Sequence, residues 1–331
     1  MSSDYRLVQA NADEKWDKLT EDSLNGTLFS NSTYLKSSKA NYKLYYCYKK
    51  EELRAAVSLI ENNTSQSVTL NDFIIYNGIM YNKPTSGQNH AQQFSEQYKI
   101  QKFISIELAN MYDNVEMSLH PSIIDIRGML WVNYGTELSK YNPNIRYTSY
   151  VNISDFKASI KLEDISIYNK ASTSRRQQIR YAIKKRYKTK VISDSGFFVE
   201  FYKKTMDRQK LEIEEDKLKI MEQLISTLIE NNMAKIYASY DELNEIGSMA
   251  FFGWDNKRAY YIFGANDPAK RDGHSGTNVL WEAFHDLSKM GINEVDLEGV
   301  NSPYRGWFKL SFGGDILPYY EVTLKGLANG K

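Results

Sequence analysis

The sequence reads as an α+β protein built from two modules, and three observations carry that reading. The 331-residue length is about twice that of a common domain. The second half orders its hydrophobic patterns as helices, then an antiparallel meander, then a helix and a strand. An Asn142-Pro143-Asn144 turn separates that half from the first. The expected division is an N-terminal module over 1–150 and a C-terminal module over 151–331, with no sequence repeat between them.

Taken in order, the first module opens with a strand near Tyr5 to Gln9 and a helical segment from Glu14 to Leu19. Phe29 to Ser38 is a polar-aromatic element holding Tyr34 and Lys36. Tyr42 to Tyr48 and Leu53 to Glu61 are rich in aromatic and β-branched residues and flank the polar turn Lys49 to Glu52, so they pair as strands. Phe73 to Tyr81 reads as a strand interrupted at Asn77-Gly78. Ala91 to Tyr112 repeats apolar residues at helical spacing, among them Phe94, Tyr98, Phe103 and Ile106. Val115 to Leu119 is a strand that ends before Pro121, and Arg146 to Ile153 is another.

The second module starts with a long helical stretch, Asp164 to Lys185, followed by a strand at Thr189 to Ile192. Helices follow at Gly196 to Arg208 and Lys217 to Asn231. Strands Ala234 to Tyr240, Glu245 to Trp254 and Arg258 to Phe263 form the meander, the last two joined at Asp255-Asn256-Lys257. Helix Thr277 to Met290 and strand Glu294 to Leu297 complete it.

The net charge of +1 gives no global attraction to nucleic acid or membrane, so any basic function is local. Cys47 is the only cysteine and excludes an internal disulfide, and four scattered histidines make no metal cluster. The N-terminus lacks the pattern of a secretory signal, and no stretch approaches the ~20 apolar residues of a membrane span. The expected location is the cytoplasm, free or peripheral to the inner membrane.

Three places offer chemistry. The run Arg175 to Lys188 has no interleaved acid. On a helix Arg176, Arg180 and Lys184 form a stripe suited to phosphates, with Ile179 and Ile183 as the core face; a solvated helix face is the plainer reading. The loop Lys270-Arg271-Asp272-Gly273-His274-Ser275-Gly276 stands before a helix, where glycines let backbone N–H groups meet a pyrophosphate. A polar loop with an ordinary cap reads equally well. The end of the chain places Asp296 and Glu298 at a strand terminus, then the aromatic-basic element Tyr304 to Lys309 between glycines. A lysine between Phe308 and Leu310 is partly desolvated if the element packs, and suits an anion or developing negative charge. The alternative is a surface hairpin with a snorkelling lysine.

Four patterns, TSRRQQIRYAIKK, FYKKTMDRQ, AFFGWDNKRAYYIFGA and GINEVDLEGV…GWFKLSFGG, in this order over roughly residues 165 to 320, resemble the FemABX-like branch of the GNAT superfamily. The Lys270 to Gly276 loop resembles that superfamily's coenzyme A pyrophosphate loop without matching it in either register. The resemblance implies two tandem GNAT-like domains with a cleft between them, the last strand, Leu317 to Leu324, packing back on the first. It implies an N-acyltransferase acting on an amine of a nucleotide- or lipid-linked cell-envelope glycan precursor, an amino sugar above all. The donor would be acyl-CoA, favoured by the near-neutral charge and the missing coiled-coil arm, or aminoacyl-tRNA, as in a peptidyltransferase of peptidoglycan precursors. No tightly bound cofactor is implied. Carried over, Lys36, Thr205 and Arg208 hold the acceptor, with Tyr260, Tyr261 and Tyr304 along its channel. Lys270, Arg271, Gly273 and Gly276 meet the donor. Phe308 and Lys309 form the reaction centre, with Asp296 or Glu298 as proton acceptor. A reading of another class is a non-catalytic RNA-binding module using the Arg175 to Lys188 stripe.

Overall fold

The computed structural model describes residues 4–156, 161–208 and 211–326, without the side chains at 268, 271 and 272. The chain forms two compact units, Met1–Arg146 with Pro318–Lys331, and Tyr147–Leu317.

The first unit runs β1 (Tyr5–Gln9), α1 (Glu14–Asp22), α2 (Ser32–Ser37), β2 (Tyr42–Lys49), β3 (Glu52–Ile60), β4 (Ser67–Val68), β5 (Gly78–Tyr81), α3 (His90–Met111), β6 (Asn114–Ser118), α4 (Arg127–Leu130) and the start of β7 (Tyr141–Asn152). Strands β1, β2, β3 and β5 form an antiparallel sheet in that order. Lys50, at φ 53°, turns β2 into β3. Alternate residues Tyr45 and Cys47 of β2 and Ala55, Val57 and Leu59 of β3 are buried in one core with Ile100, Ile104 and Leu108, one face of α3. A capping box between Asn89 and Gln92 closes the start of α3.

The second unit continues with α5 (Ser166–Lys170), α6 (Thr173–Lys184), β8 (Lys188–Ile192), α7 (Ser195–Arg208), α8 (Glu215–Glu230), β9 (Ala234–Tyr240), β10 (Ile246–Trp254), β11 (Ala259–Asn266), α9 (Ser275–Lys289), β12 (Glu294–Asp296), α10 (Pro303–Leu310) and the start of β13 (Asp315–Lys325). Strands β8 to β11 form an antiparallel meander. Asp255 makes its last turn by accepting from the Lys257 and Arg258 N–H groups at 2.8 and 3.0 Å. Strand β12 runs parallel to β11 and antiparallel to the end of β7. Residues from Pro318 on belong to the first unit, where Glu321 to Lys325 of β13 pair with β6.

Three expectations and one alternative reading need correction. Residues 73–77 are not strand. The Asn71 side chain accepts from the Phe73 N–H at 2.9 Å and bends the chain, and pairing starts only at Gly78, φ +93°. The Asn142-Pro143-Asn144 segment is extended strand within β7, not a turn. Its residues are exposed, so the missing proline N–H costs no buried bond. The stretch Asp164 to Lys185 is two helices, because Ser172 stops one and caps the next by accepting from the Arg175 N–H at 3.2 Å. Tyr304 to Lys309 is a helix, started by Pro303 at its first turn, and not a hairpin.

Candidate active site

The parallel pairing of β11 and β12 lasts for two residue pairs, Ala259 with Val295 and Tyr260 with Asp296. Strand β11 then continues to Asn266, while β12 ends and the chain turns away at Glu298, φ +54°. The two strands splay. A cavity of about 770 Å³ opens in the wedge, walled by Tyr261 and Phe263 of β11, the first turn of α9, and Phe308 and Lys309 of α10. Thr205 and Arg208 of α7 and Arg175 of α6 complete it.

The wedge is built by close approaches. The loop after β12 is pinned where Asn301 accepts from the Tyr147 N–H at 2.8 Å and donates to the Tyr147 carbonyl at 3.0 Å. Gly306 lets α10 lie on that loop, since a Cβ there would stand 2.5 Å from the Val300 carbonyl oxygen. Gly264 leaves room for the Tyr261 hydroxyl, which a Cβ would overlap.

At the splay point Asp296 is fully buried and accepts from the Thr148 hydroxyl and, at 2.7 Å, from the Glu298 N–H. Glu298 is also buried, and among the described residues its Oε1 has no hydrogen-bond partner. Burial, with the charge of Asp296, pushes the Glu298 carboxyl well above the usual carboxylate range, against the pull of Lys309. The Lys309 ammonium donates to the carbonyls of Glu298 and Gly299 at 3.4 Å each and stands 5.3 Å from the Tyr261 ring centroid. Burial draws its pKa below the ordinary lysine value, while Glu298 and Asp296 oppose the shift. A lysine that lines a ligand-sized cavity is thus coupled to the buried carboxyl of Glu298 behind it.

The other expected residues divide. Thr205 and Arg208 meet at one atom: the Thr205 hydroxyl donates to the Asn266 carbonyl at 3.2 Å and Arg208 Nη2 donates to it at 3.0 Å. Tyr304, 92% exposed, lines the mouth. Gly276 lines the wall at the start of α9, where no side chain caps the helix. Gly273 lies against the Tyr187 hydroxyl.

Tyr260 is outside the cavity: it is buried and its hydroxyl donates to Asp255 Oδ2 at 2.7 Å, because neighbouring strand residues face opposite ways. Lys270 is committed to Asp241 at 2.6 Å and to Glu245, so its charge is not free for a phosphate. The Arg271 side chain lies outside the described residues. Arg176, Arg180 and Lys184 do not line the cavity. Arg180 donates to the Tyr168 hydroxyl at 2.6 Å, and Ile183, expected in the core, is 51% exposed. Lys36 is exposed on α2 of the first unit.

Arg175 is the residue that periodicity missed. The cap at Ser172 sets the phase of α6 so that Arg175, Ile179 and Ala182 form its buried line. The hydrophobic pattern carries no signal for a buried arginine. A serine cap three residues before it was the available one.

Residues 173–306 match the family model described as an acetyltransferase (GNAT) domain. The structure of FemX superposes with a TM-score of 0.66 at 11% identity, covering 95% of this chain and 96% of that one. Residues 173–306 are thus a GNAT acetyltransferase domain, and the chain has the fold of FemX. A tandem GNAT protein from the clavulanic acid pathway superposes at 0.54 and 7% identity, covering 98% of this chain and 100% of that one. L-PGS from Bacillus licheniformis gives 0.53 at 12% identity over 94% and 91%. The fold is therefore that of tandem GNAT proteins over nearly the whole chain. No curated protein matches the sequence. The non-catalytic RNA-binding alternative is set aside. Among the described residues no helix is long and apolar enough to cross a membrane.

Proposed function

We propose that this GNAT enzyme transfers an acyl group from acyl-CoA to the amine of an amino sugar in a nucleotide- or lipid-linked cell-envelope precursor. The observation that carries the reading is the wedge cavity with Lys309 in its wall and the buried Glu298 carboxyl coupled to Lys309 behind it. Past Tyr260, β11 is not paired with β12 and its edge borders the cavity, where an amide-bearing arm such as pantetheine would run along the strand. The uncapped start of α9, a 15-residue helix, suits the donor's phosphates. The clavulanic acid pathway protein is described as its form without acetyl-CoA, which favours an acyl-CoA donor, and another similar structure is the C-terminal domain of a putative lysylphosphatidylglycerol synthetase, which favours an envelope acceptor.

In the proposed reaction the acceptor nitrogen attacks the thioester carbonyl, a C–N bond forms, and the C–S bond breaks as the thiolate leaves. Lys309 stabilises the oxyanion that develops on the carbonyl. Glu298, once ionised, is a stronger base than an ordinary carboxylate and takes the proton from the attacking amine, directly or through water. Arg208, at the mouth, pairs with the acceptor's phosphate.

The test is a mass-spectrometric screen of acyl-CoAs and charged tRNAs against UDP- and dTDP-amino sugars. An N-acylated sugar formed from acyl-CoA supports the reading. Transfer from aminoacyl-tRNA alone replaces the donor, and transfer only to peptide amines replaces the acceptor. No product with any pair counts against the function.

A further inference from the structure

Arg175 is a buried cation that the chemistry above leaves without a task. It lies in the first turn of α6, 6% exposed, with its guanidinium between the rings of Phe308 and Phe312, 4.4 Å from each centroid. A guanidinium has five N–H donors in a fixed plane. Here every nitrogen is engaged. Nε and Nη2 donate to the Ser311 hydroxyl at 2.9 and 2.8 Å, and Nη2 also to the Phe308 carbonyl at 3.4 Å. Nη1 donates to Gln178 Oε1 at 2.6 Å and to the Thr277 hydroxyl. The Thr277 hydroxyl donates to the same Gln178 oxygen at 2.7 Å, and Ser311 returns a bond to the Phe308 carbonyl at 2.6 Å.

These partners lie on three elements. Gln178 is on α6, Thr277 is in the first turn of α9, and Phe308 and Ser311 are the end of α10 and its cap. Among the described residues no carboxylate pairs with Arg175, and burial draws its pKa down to about 10. An unpaired buried charge is a poor device for stability, since an apolar side chain of similar size packs without desolvation cost. What an apolar residue does not supply is a planar fork that fixes two helices in register while stacking between two rings.

We infer that Arg175 is the positioning residue of the transfer site. It ties the start of α9 and the end of α10 to α6, and so sets Phe308 and Lys309 against the cavity. The clamp stands on geometry alone; its effect on turnover rests on the acyl-transfer reading.

The two halves are tested separately in the full chain. Hydrogen exchange followed by mass spectrometry is measured for wild type, Arg175→Met and Arg175→Lys. Methionine fills the slot between the rings without donors, and lysine keeps the charge without the fork. Both variants should exchange α10 amides on the order of tenfold faster, with the centre of α9 and the first unit unchanged. Wild-type protection of α10 in either folded variant overturns the clamp. If both variants fail to fold, Ser311→Ala removes two guanidinium bonds and should loosen α10 alone; wild-type α10 protection there overturns it. With the substrate pair from the screen, kcat should fall by about 10²-fold while both KM values stay within about threefold, as for a misplaced reacting group. A raised donor KM at unchanged kcat would make Arg175 a ligand contact and overturn the positioning role. Methylguanidinium should restore part of the turnover of Arg175→Ala where methylammonium does not.

Discussion

Lys309 and Glu298 shift each other's protonation, and each shift has a consequence in solution. Lys309→Met keeps the apolar stem and removes the charge. If the charge acts on the oxyanion, kcat falls by about 10²-fold with little change in either KM, in steady-state kinetics. Glu298 titrates above its unfolded value, so its contribution to stability is complete below the ordinary glutamate range and is lost as pH rises through the raised value. The stability difference between wild type and Glu298→Gln should therefore shrink or reverse as pH rises, read from Tm between roughly pH 5 and pH 9. A difference independent of pH would mean that Glu298 titrates normally. Arg208→Ala should raise the acceptor KM and leave the donor KM alone, because a charge-assisted phosphate bond is worth roughly 1.5–3 kcal/mol. Much of this was legible in the sequence. Asp296, Glu298, Phe308 and Lys309 follow one strand and one glycine loop, so local order alone gathers them. Tyr260 and Tyr261 could not be told apart, because which neighbour faces the wedge depends on strand phase. Arg175 stayed hidden because its partners at Thr277 and Ser311 are more than a hundred residues away.

Helix α10 is the element on which the site depends. It buries Gly306 against the Val300 carbonyl and leaves Tyr304 and Trp307 exposed, 92% and 75%. A side chain at position 306 has to lift the helix from the loop that carries Glu298. Gly306→Val should lower stability by about 1–3 kcal/mol, as overpacking does, and should reduce turnover more than Tm suggests. Wild-type activity in that variant would show that the helix position is not critical. A surface hairpin was the alternative reading here, since aromatic residues favour strands. Pro303 in the first turn and Gly313 at φ +84° after the last are the helix signals that outweigh it. The split of α5 from α6 has the same cause, a capping serine that hydrophobic periodicity does not register.

At the scale of the whole chain, β13 starts in the second unit and ends in the first, pairing Glu321 to Lys325 with β6. Val322 and Leu324 are buried in the first unit's core with Val115 and Met117. Truncation before Pro318 should therefore expose β6 to hydrogen exchange and lower the first unit's stability, while β9 to β11 stay protected. The order of elements was readable throughout, since helix and strand periods differ. The splay of β11 from β12 was not, because it rests on where pairing stops and not on composition. That splay is the basis of the central claim, that the donor occupies the wedge of the second unit. Hydrogen exchange of the wild-type chain with and without saturating acetyl-CoA tests it most directly. Protection should appear at Tyr261 to Asn266 and at the start of α9. Protection confined to the first unit, or none at all, would contradict the account.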